Sequence, residues 1–110
     1  MPVEVKRKIR AVAADLGGQA KLARLIGVSP SRVSRWLRRE EPDTANRRKV
    51  EGAEFVLSRL LGIWERRTAL KWLEGVNAHL GNRRPVDLIA AGRIAEVIEA
   101  IEAEDTGAYA

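Results

Sequence analysis

The chain has 110 residues, of which 45% are hydrophobic and 32% charged, with a formal net charge of +5 and no cysteine. That composition belongs to a folded chain with a buried core; the length excludes two large domains, and the lack of cysteine excludes disulfides, thiolate metal sites and cysteine nucleophiles. Residues 1–67 hold 16 Lys/Arg against 8 Asp/Glu, a net of +8, whereas residues 68–110 hold 4 against 7, a net of −3. A basic half suited to a polyanion, or simply a solubilising surface, therefore precedes an acidic half that a polyanion repels.

The first helix is predicted from about Val3 to Leu16, because Val5, Ile9, Val12 and Leu16 recur at the spacing of one helical face. Gly17 and Gly18 stop it, and a second helix from about Gln19 to Ile26 turns Leu22, Ala23 and Ile26 inward before Gly27 ends it. Ser29-Pro30 opens a third helix, since a serine hydroxyl caps free N–H groups and proline fits the first helical position. Val33, Trp36 and Leu37 face inward there, and Ser31, Arg32, Ser34, Arg35, Arg38 and Arg39 face outward.

After Pro42, Asp43 or Thr44 caps a longer fourth helix with the apolar stripe Val50, Ala53, Leu57, Leu60 and Trp64. Phe55, Val56 and Leu61 lie off that stripe and supply apolar surface for a homodimer interface. Beyond Arg66-Arg67 a short face of Ala69, Leu70, Trp72, Leu73 and Val76 is followed by a loop over residues 77–85 and a helical turn over residues 85–90. A last helix runs from about Gly92 to Ala103 with Ile94, Val97, Ile98 and Ile101 buried, and the tail from Asp105 to Ala110 is loose. No segment alternates as a strand does, so the fold class is all-α: a helical bundle with an N-terminal helix-turn-helix and a small C-terminal helical unit, divided between residues 67 and 68.

Residues 19–38 resemble the helix-turn-helix of the Xre/Cro family of repressors. The small Ala23 stands where two helices cross, Gly27 at the turn, and Val28, Val33 and Trp36 where the second helix locks on the first. In such a unit the second helix enters the major groove with its N-terminal residues at base edges. Ser29, Ser31, Arg32, Ser34 and Arg35 are then placed for reading, Arg32 and Arg35 above all, because arginine bonds bidentately to guanine. Gln19, Lys21, Arg38 and Arg39 are assigned to the phosphate backbone, which fixes register without carrying sequence information. The opposing reading is a merely solvated basic face.

Residues 69–109 resemble the toxin-binding domain of the Xre/MbcA/ParS antitoxins, on Trp72-Leu73, Asn77, Leu80, Gly81, Pro85, Leu88-Ile89, Gly92, Val97 and Gly107-Ala108-Tyr109. Val76 stands where that family often has proline. The resemblance implies an antitoxin that binds and blocks a RES-domain, NAD-consuming toxin and represses its own operon by binding double-stranded DNA. Its toxin-contacting candidates are Trp72, Asn77, Leu80, Leu88, Glu102, Asp105, Gly107, Tyr109 and Ala110, the acidic tail being the inhibitory element. For Trp72, Leu80 and Leu88 packing is the competing role, for Asn77 capping of its loop, and for the tail a frayed end. The alternative to an antitoxin is a stand-alone Xre-family repressor whose C-terminal half serves dimerisation.

Catalysis, cofactors and metals find no support. His79 is the only histidine, no phosphate-cradling glycine loop exists, and Gly17-Gly18 lacks the lysine and preceding strand that such a loop requires. The charged N-terminal segment and the lack of an apolar run of about 18 residues predict a cytoplasmic protein without a membrane span.

Overall fold

A computed structural model describes residues 2–107, and these form an all-α protein. The helices are α1 (Pro2–Leu16), α2 (Gln19–Ile26), α3 (Pro30–Arg38), α4 (Thr44–Leu61), α5 (Arg66–Glu74), α6 (Pro85–Ala90) and α7 (Ile94–Asp105), with a 3-10 turn at Ala78–Leu80 before α6.

Local chemistry accounts for the boundaries of the helix-turn-helix. Gly27 takes φ 88°, a left-handed turn open to glycine at little cost, and the N–H groups of Gly27 and Val28 both donate to the Ala23 carbonyl. Ser29 then caps α3, its hydroxyl accepting from the Arg32 N–H at 3.3 Å, with Pro30 in the first turn. Asp43 caps α4 differently from expectation. Its carboxylate makes no cap bond to backbone and instead accepts from the Asn46 side-chain amide at 2.6 Å.

The buried cluster is continuous from Val5 in α1 to Ile101 in α7. α4 is its axis, packing against α1 on one side and α5, α6 and α7 on others, while α2 also packs on α6. Val56, expected as spare surface, is consequently fully buried together with Val50, Ala53, Leu57 and Leu60: a helix covered from two sides needs a stripe wider than one face. Phe55 and Leu61 remain exposed.

Trp64 lies outside α4. The helix ends at Leu61, but a further turn in which the Trp64 N–H donates to the Leu60 carbonyl at 2.8 Å preserves the i to i+4 step, so the apolar pattern outlasts the helix. Its ring sits 6.2 Å from that of Trp72, tilted by 48°. Val76, expected on the apolar face of α5, lies past the end of that helix and is 63% exposed. Ile94 and Ile98 are half-buried where full burial was expected, as is Leu37. α7 extends to Asp105, so that residue closes a helix and does not begin a loose tail.

Candidate nucleic-acid interface and partner surface

α2 and α3 pack as a helix pair, and the basic and hydroxyl residues of that pair collect on its outer surface. Gln19 and Lys21 are exposed at the start of α2. Ser29, Ser31, Arg32, Arg38 and Arg39 are exposed along or beside α3, and Ser34 and Arg35 are half-buried. Val33 and Trp36 hold the opposite face of α3 in the core, which fixes how the helix presents its arginines. The Ser29 hydroxyl is engaged both by the Arg32 N–H and by the Ser31 hydroxyl at 3.2 Å.

Several residues that sequence reasoning passed over meet this surface. Lys6 of α1 donates through Nζ to the Arg38 carbonyl at 3.4 Å, adding a cation to the C-terminal end of α3. Arg66, at the start of α5, donates through Nε to the Asp15 carbonyl at 2.9 Å and so ties the end of α1 to the second half of the chain. Arg35 Nε donates to Glu40 Oε1 at 3.1 Å, and Arg32 lies 3.7 Å from Asp43. The hydrogen bond from Asn46 and, to a smaller degree, the Arg32 charge hold the Asp43 carboxyl below its ordinary range.

The C-terminal candidates divide sharply. Leu80 and Leu88 are buried in the core, where they pack the fold and present no surface to a partner. Asn77 is buried as well, and it organises its own loop. Its carboxamide oxygen accepts from the His79 N–H at 2.9 Å, its carbonyl accepts from Leu80 and Asn82, and its N–H donates to the Arg83 carbonyl. Trp72 is half-buried beside a cavity of about 210 Å³ that Val76, Asn77 and Glu104 also line, and its indole N–H is buried without an acceptor among the described residues. Glu102, Asp105 and Gly107 are exposed at the end of α7, with Glu102 4.0 Å from Arg59. Tyr109 and Ala110 lie outside the described residues.

The fold has a counterpart among solved structures. The chain is similar in fold to a chain of the M. tuberculosis MbcT-MbcA toxin-antitoxin complex. The likeness has a TM-score of 0.78 at 24% identity, and it covers 93% of this chain and 94% of the other. No protein-family model and no curated protein matches the sequence. Among the described residues no helix is long and apolar enough to cross a membrane, and no three His, Cys, Asp or Glu side chains gather as a metal site needs.

Proposed function

We propose that this protein is an antitoxin: it binds and silences a partner toxin, and as a homodimer it binds operator DNA and represses its own operon. The observation that carries the reading is the shared fold with a chain of a toxin-antitoxin complex over nearly the full length of both. In this proposal residues 1–67 face DNA through α2 and α3, residues 68–110 face the toxin, and the protein itself catalyses nothing. The resemblance of the second half to Xre/MbcA/ParS antitoxins points to a RES-domain toxin that consumes NAD.

The surface chemistry supports the partition. Cations collect on α2 and α3, while the exposed end of α7 carries Glu102 and Asp105 and suits a cationic pocket of the kind that holds a pyrophosphate. Because Asp105 closes α7, the inhibitory segment is best drawn from Thr106 onward, with Glu102 and Asp105 as flanking contacts. Half-burial, a buried N–H without an acceptor among the described residues and the neighbouring exposed Val76 favour Trp72 as a toxin contact. Dimerisation matches the two half-sites that such DNA readers span, and Phe55 with Leu61 on α4 offers the apolar patch.

The test is co-purification of the tagged protein with the product of the neighbouring gene, with NAD consumption assayed before and after separation. A stable complex that is silent until separated supports the proposal; no complex and no released activity refutes it.

A further inference from the structure

The cations of the α2–α3 face fall into two electrostatic classes. Among the described residues Lys21, Arg38 and Arg39 have no acidic partner within ion-pair distance, whereas Arg35 is joined to Glu40 and Arg32 to Asp43. Both carboxylates come from the short turn that links α3 to α4, a turn pinned by the buried Pro42.

The pairs are built into that turn. Glu40 grips Arg35 at two levels, since its N–H donates to the Arg35 carbonyl at 3.0 Å while its carboxylate accepts from Arg35 Nε at 3.1 Å. Asp43 is held by the buried Asn46, whose amide donates to the same Oδ1 that faces Arg32. A short relay therefore runs from the buried Asn46 in the first turn of α4, through Asp43, to the guanidinium of Arg32.

We infer that Glu40 and Asp43 are positioning residues that hold Arg35 and Arg32 for base readout and keep these two arginines off phosphate. The inference rests on the DNA-binding part of the proposed function. A free surface arginine samples many rotamers and is drawn to the nearest phosphate, where it strengthens binding to every sequence alike. An arginine whose charge is offset by a carboxylate gains little from phosphate. With Nε engaged by Glu40, the two terminal Nη groups of Arg35 are left to donate, and such a pair matches the O6 and N7 acceptors of guanine. The unpaired Lys21, Arg38 and Arg39 then carry the sequence-independent affinity. Exposed ion pairs of this kind contribute little to stability, so their removal leaves the fold in place and exposes the recognition effect.

The experiment uses the full chain. Duplexes selected from a random 20-base-pair pool by the wild type serve as specific probes, and an unselected duplex of equal length as the non-specific one. Affinities for both are measured over a salt series for wild type, Glu40→Gln, Asp43→Asn, Arg38→Ala and the control Glu41→Gln, which makes the same charge change at an exposed residue of the same turn that forms no ion pair among the described residues. Glu40→Gln should bind the unselected duplex several-fold more tightly, steepen the salt slope by about one and lower the specific-to-non-specific ratio by roughly tenfold. Asp43→Asn should shift all three in the same sense. Arg38→Ala should lose about one in slope with the ratio intact, and Glu41→Gln should leave the ratio unchanged. Ratios in Glu40→Gln and Asp43→Asn equal to that of Glu41→Gln would overturn the inference while leaving DNA binding standing. A wild type that retains no duplex would overturn the DNA-binding reading itself.

Discussion

Gly52 offers a direct measurement of how α4 meets α7. A Cβ added there would stand 2.6 Å from Ile94 Cγ1 and 2.7 Å from its Cδ1, about 1 Å inside ordinary carbon contact. The two consequences of Gly52→Ala oppose each other. Alanine in a helix interior is favoured over glycine by about 1 kcal/mol, whereas overpacking of this kind costs about 1–3 kcal/mol. Because the overlap involves the branched stem of Ile94 as well as its tip, the clash should win, giving a net loss of about 1 kcal/mol. In an Ile94→Ala background the obstacle is gone, so the same substitution should stabilise by about 1 kcal/mol. Urea unfolding of the four proteins, followed by far-UV circular dichroism at constant m value, gives the coupling energy, expected at about 2 kcal/mol. Stabilisation by Gly52→Ala in both backgrounds, with no coupling, would refute the close approach of α4 to α7.

Other expectations follow from single contacts. Asn46→Ala removes the main influence that keeps Asp43 acidic, so a carboxyl carbon-13 titration should show the Asp43 midpoint moving up toward 3.8. A depressed carboxyl pKa contributes stability above the ordinary carboxylate range and loses it as pH falls through the lowered value, so Asn46→Ala should narrow the acid tolerance of the protein. Phe55→Asp should convert a dimer to a monomer in light scattering with an unchanged helical spectrum; a dimer that persists would move the interface elsewhere. Removal of residues 106–110, which spares α7, should restore NAD consumption to a co-purified toxin, and undiminished inhibition would exclude the tail as the inhibitory element.

Much of this molecule is written locally. α2 runs over the residues that its flanking glycines predict, α3 begins after the Ser29 cap, and α6 starts at Pro85. Caps and prolines act within a few residues, so such boundaries are legible in one dimension. Asn77 shows the limit of the same logic. As a loop-capping residue it was open to inference, but its burial and its backbone bridge to Arg83 were not. The site divided in a similar way: the basic residues of α2 and α3 were visible in the sequence, whereas the carboxylates that pair two of them were hidden. Asp43 read as a helix cap, and Glu40, just past the end of α3, carried no periodic signal.

The order of helices, the outward basic face of α3 and the charge contrast between the halves follow from the sequence alone, because periodicity and capping are short-range. Only the tertiary structure decided that Val56 is buried while Phe55 is exposed, that Leu80 and Leu88 pack inside, and that Lys6 reaches Arg38 and Arg66 reaches Asp15. Those outcomes depend on which helices flank α4 and on partners far apart in the chain, and no local rule encodes a neighbour that folding alone brings near.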